Sequence, residues 1–286
     1  RAFLVRQMPE LTEFLHYRIV DVSTVKELAR RWDPQVLESA PLKKETHRAL
    51  DDIIESIEEL RQWHTGSVGY PMPTPLLHKT AANSAQTIGD KQLAARPINR
   101  RFKSRSTAPL VWIDVETTGL TVEKDVILEV AMVITDGELN QLGPPQSLVI
   151  ARSPEELCKL NPWSLNMHTK SGLLKEVAES KLTLAVAEQE LLKQIVQHSK
   201  KPGTAILAGN NVGFDRVFIS KYMPVLANYL HFRNIDVSTV NELAKRWAPD
   251  MLGRYKKTYS HRAIDDINES LRELRYYKDN MFSPRE

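Results

Sequence analysis

Cysteine is nearly absent: Cys158 stands alone in 286 residues. That excludes an intrachain disulfide and a cysteine-rich zinc site, and it fits a reducing compartment, cytoplasmic or mitochondrial. Nowhere do some 18 apolar residues run together, so no membrane-spanning helix is expected. A dominant charge is missing too. The formal net charge is +3, so a surface for a polyanion has to be local rather than a property of the whole molecule. What is present is ordinary for a globular protein: 42% hydrophobic and 26% charged residues, over a length that suits one large domain or two ordinary ones. The chain opens at Arg1 rather than Met, as expected of a processed form or a fragment.

The first positive feature is an internal repeat. Residues 1–34 align without a gap to residues 216–249, with 19 of 34 positions identical. After a slip of one residue, THRALDDIIESIEEL (46–60) matches SHRAIDDINESLREL (260–274). Residues 1–63 thus duplicate 216–277, whereas nothing near the N-terminus duplicates 109–215. The chain carries one complete unit and the back half of another. The domain expectation is a partial duplicate at 1–66, a linker at 67–107 and a complete domain at 108–286.

The linker expectation rests on Gly-Ser, Tyr-Pro-Met-Pro-Thr-Pro and the absence of any sustained helical or strand period. As a flexible coil it would span roughly 35 Å. Its end, from Lys91 to Arg105, has no acidic residue and is rich in arginine. That composition is like a mitochondrial presequence, but its internal position prevents it from acting as one here. A join between two gene copies explains both features.

The complete unit reads as α/β. Apolar strands are predicted at 109–116, 126–135, 145–151 and 204–209. Helices are predicted at 182–198, 212–221, 224–230, 238–246 (with Ser238 as N-cap) and 261–277. In the first strand, Asp114 and Glu116 lie two residues apart. Their side chains therefore share one face, while Ile113 and Val115 take the other. Two carboxylates on one face of a buried strand repel each other, and a divalent cation would relieve that. An edge strand with a solvated acidic face is the alternative. Thr117-Thr118-Gly119 then breaks the strand.

Asp215 opens a helix after the glycine-punctuated stretch Gly209–Phe214. His261 and Asp266 lie near the start of the last helix. Four carboxylates and a histidine suit hard cations, Mg2+ or Mn2+, rather than zinc. Two such ions, one activating water and one at the leaving oxygen, are a site for phosphoryl displacement, with a histidine able to take the water's proton. Singly, Asp215 could be a helix cap, Asp265-Asp266 a solvated face and His261 a structural residue.

IDVETTGL, GNNVGFDR and HRAIDD, in that order, resemble the DEDDh exonucleases. Within that superfamily, NPWSLNMHTKSGL (161–173), KYMP (221–224) and HFRNIDVSTVNELAKRW (231–247) resemble the oligoribonuclease family. The resemblance covers about 109–280. It implies a ribonuclease H-like fold, a mixed five-stranded sheet flanked by helices. It implies 3′→5′ hydrolysis of very short RNAs, especially dinucleotides, to nucleoside 5′-monophosphates, by a homodimer. By motif, Asp114, Glu116, Asp215 and Asp266 would bind two metal ions, with His261 as general base. Leu120 would wedge against the bases, and Trp163 and His168 would line the substrate. Phe232, Arg233 and Ser238 match a set that caps the 5′ phosphate, the aromatic-Arg pair being lent by the dimer partner. The half copy carries that pair as Tyr17 and Arg18. Asn211 and Phe214 stand where the family usually has Ser and Gln, and Phe232 stands where it usually has Tyr.

The half copy has His47 and Asp52 but no Asp-x-Glu motif, so it is expected to be catalytically dead. Lacking the sheet strands, its apolar helix faces need a partner. A homodimer of complete units and an intramolecular pseudo-dimer with the half copy are both open on the sequence. Open too are another DEDDh enzyme acting on DNA or RNA 3′ ends and a non-catalytic scaffold.

Overall fold

A computed structural model describes residues 7–38, 49–67, 106–252 and 261–282. His47 and most of the linker predicted over 67–107 lie outside the described residues.

The N-terminal segment contributes helices α1 (Pro9–Phe14), α2 (Val22–Trp32), α3 (Pro34–Glu38) and α4 (Ala49–Ser67). The complete unit then supplies strands β1 (Leu110–Thr117), β2 (Ile127–Thr135) and β3 (Gln146–Val149). Next come helices α5 (Pro154–Leu157), α6 (Pro162–Lys170), α7 (Leu173–Glu179) and α8 (Leu184–His198). Strand β4 (Ile206–Gly209), helices α9 (Gly213–Tyr222) and α10 (Pro224–Tyr229), and strand β5 (Asn234–Asp236) follow. Helices α11 (Val237–Trp247), α12 (Pro249–Leu252) and α13 (Ala263–Tyr277) complete it.

The sheet has five strands in the order β3-β2-β1-β4-β5. The β1–β2 and β2–β3 pairs are antiparallel, whereas β1–β4 and β4–β5 are parallel. This is the mixed five-stranded sheet that the motifs implied. β1 is central, not an edge, so its acidic residues belong to the interior. Alternation sorts it: Val111, Ile113 and Val115 join one apolar cluster with α8, α9 and α10, while Leu110 and Trp112 join another with α11 and α13. Asp114 and Glu116 continue the Leu110–Trp112 face, toward the last helix.

The four predicted strands and five predicted helices are present within one or two residues of their expected bounds, the scatter usual for element ends. The cap of α11 is not Ser238. Asp236 takes that position and accepts from the backbone N–H of Ser238 at 2.9 Å. An aspartate two residues earlier reaches the first free amide of the helix, and Ser238 is left inside its first turn.

The N-terminal segment packs on the complete unit. Val25, Leu28, Ala29 and Trp32 of α2 share a core with Ile235, Val237, Val240 and Ala244. The expected need for a partner is thus met for α2. Among the described residues it is not met for α4, where Leu50, Ile53, Ile54 and Ile57 are exposed.

Candidate active site

The site forms where β1 ends. Glu116 lies opposite Glu129 of β2, and the ladder shifts register between Glu116 and Thr117. The turn that follows is fixed by Asp125, which accepts from the Thr118 hydroxyl at 2.9 Å and from the Thr121 N–H at 2.8 Å. A Cβ on Gly119 would come within 2.6 Å of the Asp125 carboxylate, so any larger residue there would push that side chain out of the turn it holds. The turn leaves Leu120 exposed.

Asp215 is carried in by the first turn of α9. Its Oδ1 accepts from the Val115 N–H at 3.0 Å, which fixes it to β1 between Asp114 and Glu116. Asn211 supplies the bend before it, with φ of 58°. Asparagine tolerates that left-handed conformation better than most residues. Its N–H donates to Asp236 Oδ1 at 2.9 Å. Phe214 packs on Phe218, ring centroids 4.8 Å apart, so the replaced glutamine position serves the core edge.

Asp266 comes from the first turn of α13. One carboxylate oxygen each from Asp114, Glu116 and Asp266 lie within 4.8 Å of one another. Asp215 is outside that tight group, although its charge acts on Asp114. Burial, then the neighbouring Asp215, Glu116 and Asp266, push the Asp114 carboxyl well above the ordinary range. Burial, then Asp266, pushes Glu116 up to about 8. Burial pushes Asp215 up to about 7 against the opposing pull of the Val115 N–H. Half-buried carboxylates crowded this closely resist ionising unless a cation joins them. Their oxygen-only donor set suits a hard divalent metal ion.

His261 sits just before α13 with φ of 55°, a conformation that costs about 1–3 kcal/mol and persists only where neighbours enforce it. The next residue does so. Arg262 grips Glu129 through Nε and Nη2 at 3.2 and 3.1 Å, and Glu176 through Nη1 and Nη2, both at 2.8 Å. These charge-assisted bonds raise the guanidinium pKa and anchor the start of α13 to β2 and α7. The sequence reading missed Arg262, Glu129 and Glu176. A glutamate inside the apolar run Ile127–Thr135 and an arginine beside His261 were the available signals.

The Trp163 ring meets His261 edge-on, centroids 5.9 Å apart and planes at 90°. His168 is buried with Nε2 at 2.9 Å from the Thr117 carbonyl. A carbonyl only accepts, so Nε2 carries the proton, and Nδ1 faces Glu116 at 3.9 Å. Leu120, Trp163, His168 and His261 are thus gathered around the carboxylates or the turn beside them. The others are placed differently. Ser238 is buried and its hydroxyl donates to Asp236 at 2.7 Å. Phe232 is exposed, and Arg233 pairs with Glu27 of α2 at 2.8 Å. Tyr17 is exposed, and Arg18 pairs with Glu242 of α11 at 3.0 Å. Asp52 is exposed on α4. No described helix is long and apolar enough to cross a membrane.

The sequence is similar to that of known proteins. The RNase T exonuclease family model matches residues 1–60 and 111–274, so both copies of the repeat are recognised. The mitochondrial oligoribonuclease of Homo sapiens is 47% identical over 177 residues, covering 62% of this chain and 74% of that protein. The oligoribonuclease of Colwellia psychrerythraea is 45% identical over 173 residues, covering 60% of this chain and 95% of that protein. Among solved structures, the Mg2+- and Mn2+-bound form of S. pombe Pop2p is similar over 61% of this chain and 84% of that one, with TM-score 0.48 and 16% identity. The chain belongs to the exonuclease family, and within it to the oligoribonucleases.

Proposed function

We propose that the chain is a 3′→5′ exoribonuclease that hydrolyses very short oligoribonucleotides, dinucleotides above all, to nucleoside 5′-monophosphates. The carrying observation is the closure of Asp114, Glu116 and Asp266 into one cluster, with one oxygen of each within 4.8 Å of the others, beside His261 and Asp215. Those four carboxylates would hold Mg2+ or Mn2+, two per site. Bound there, such ions lower the pKa of water and neutralise the leaving oxygen of a phosphodiester.

The chain's own groups have distinct tasks. His261 accepts the proton of the attacking water. Trp163 keeps the imidazole edge-on and, with Leu120, offers apolar surface to unstacked bases. Arg262 holds the helix that carries Asp266. His168, neutral and donating to Thr117, braces the end of β1. Single-stranded RNA is the partner, and the compartment is cytoplasmic or mitochondrial. The family resemblance implies a homodimer, but the packing of α2 against α11 and β5 favours pairing within one chain.

The test is chromatographic analysis of a 5′-phosphorylated diribonucleotide and of a long single strand, each incubated with the chain and Mg2+. Conversion of the dinucleotide to 5′-monophosphates, faster than shortening of the long strand and lost in Asp114→Asn, is expected. Faster attack on the long strand, or turnover that survives Asp114→Asn, would overturn the assignment.

A further inference from the structure

Glu129 is a buried carboxylate outside the set that would hold the metal ions. It lies on β2 opposite Glu116 and is 0% exposed. Arg262 donates to it through Nε at 3.2 Å and Nη2 at 3.1 Å, the Ser147 hydroxyl at 2.6 Å and the Ala263 N–H at 3.5 Å. A buried ion pair adds little net stability, because desolvation offsets the attraction, and an apolar residue on β2 would serve the core at least as well. What the pair supplies is a fixed position for the residues that hold it.

Those residues adjoin His261. Arg262 takes the cap position of α13, but its side chain makes no cap hydrogen bond. Glu129 reaches that end from across the sheet, and its Oε2 accepts from both Arg262 Nε and the Ala263 N–H. The other edge of the guanidinium holds Glu176 of α7, both contacts at 2.8 Å. α7 directly follows α6, whose Trp163 ring meets His261 edge-on. One side chain therefore ties the residue beside His261 to β2 and to the helices that wall the imidazole. The body of α13 has further anchors of its own. Ala263, Ile267, Leu271 and Leu274 are buried, and Glu273 accepts from Asn210 at 3.2 Å and from Asn241 at 3.1 Å. Asp266 belongs to that body. His261 precedes it, with its left-handed backbone, so the place of its ring follows the place of Arg262.

We infer that Arg262 and Glu129 are positioning residues that aim the His261 imidazole at the attacking water. Without the guanidinium the base loses its alignment, while the carboxylate cluster stays assembled. The inference rests on the exonuclease reading, in which His261 is the general base.

The test is a double-mutant cycle on the full chain, with a 5′-phosphorylated diribonucleotide and Mg2+. Arg262→Gln should lower kcat on the order of 10²-fold with KM little changed, the scale of a reacting group misplaced by about 1 Å. His261→Asn removes the base but keeps a residue that tolerates the left-handed backbone. In that background Arg262→Gln should lower kcat by less than about twofold more, because the group it positions is gone. An undiminished loss there overturns the inference, as does a change confined to KM. Calorimetry with Mg2+ distinguishes a loosened α13. Arg262→Gln should bind Mg2+ within about twofold of the parent affinity, and an affinity loss as large as the loss in kcat would overturn the inference in favour of an effect through Asp266. Arg262→Lys guards against a variant that does not fold, since it keeps a cation beside Glu129 without the planar fork that also holds Glu176. It should lose kcat several-fold in the parent and nothing measurable beside His261→Asn, and equal losses in both overturn the inference. If the unaltered chain leaves the dinucleotide intact, the exonuclease reading fails and the positioning role falls with it. Normal parent turnover with additive losses rejects the positioning role alone.

Discussion

Helices α4 and α13 are two copies of one sequence in two surroundings. In α13, Ile267 and Leu271 are 2% and 5% exposed against β1 and β2. Their counterparts in α4, Ile53 and Ile57, are 56% and 45% exposed and face an open groove of about 530 Å3. The other repeated pair shows no such contrast, since Leu28 of α2 and Leu243 of α11 are both buried. The difference is what lies opposite. α2 and α11 pack on each other and on β5, so one copy of the sheet serves both. α4 needs a sheet of its own. An amphipathic pattern therefore specifies a face, and the rest of the fold decides whether that face is covered.

The contrast extends to chemistry, and it can be broken most sharply there. Asp114→Asn removes a member of the crowded cluster and should lower turnover on the order of 10³-fold, the equivalent of several kcal/mol of lost charge stabilisation. Asp52→Asn, at the counterpart of Asp266 on α4, should leave turnover and melting temperature near those of the parent. A dinucleotide assay of the two variants side by side is the check. A comparable loss in both would mean that the half copy takes part in catalysis.

His261→Ala should cost roughly 10²–10⁴-fold in kcat, as for a lost general base, with Mg2+ binding by calorimetry retained. Next in size is a stability difference. Ile267→Ala should destabilise by about 2–5 kcal/mol, as buried truncations do, whereas Ile53→Ala should stay within about 0.5 kcal/mol. Denaturant titration of each variant measures this, and equal losses would show that α4 is covered after all.

The smallest effect concerns pH. Glu116 and Asp215 titrate at about 8 and about 7 when folded, both above their ordinary values of 4.5 and 3.8. Between the ordinary and the raised values the folded chain holds more protons than the unfolded chain. Without divalent cations, stability contributed by this cluster is therefore complete at low pH and falls as pH rises through that window. Mg2+ favours the ionised carboxylates, so it should raise the melting temperature more at pH 8 than at pH 6. A larger Mg2+ shift at pH 6 would contradict the origin of these raised values.

Much of this was legible in the sequence. The two-residue spacing of Asp114 and Glu116 placed both on one face because a strand alternates, and the apolar run around them predicted burial. His261 and Asp266 were noted near the start of the predicted last helix, and their roles came from the resemblance of HRAIDD to the DEDDh motif rather than from periodicity. Other parts left no readable trace. β5 is three residues long, too short for alternation to register. The short helices over 154–179 interrupt any long period, so they were not predicted. In Asp236-Val237-Ser238 two good capping residues compete, and the sequence does not say which one faces the amides. The Arg262–Glu129–Glu176 cluster is a tertiary contact among distant elements. The repeat announced that two similar faces existed, but the bonds from the Asp21 N–H to the Thr239 hydroxyl and from the Asp236 N–H to the Thr24 hydroxyl depend on a geometry that no pattern encodes.

β5 ends one side of the sheet, where a strand with unsatisfied outward backbone groups invites another chain to add itself. Among the described residues no strand covers that side. The Thr24 hydroxyl donates to the Asn234 carbonyl and receives the Asp236 N–H, so one side chain occupies the groups that an incoming strand would use. Such an edge offers little to template growth, and the protein is guarded there against the strand-by-strand accretion that leads to fibres.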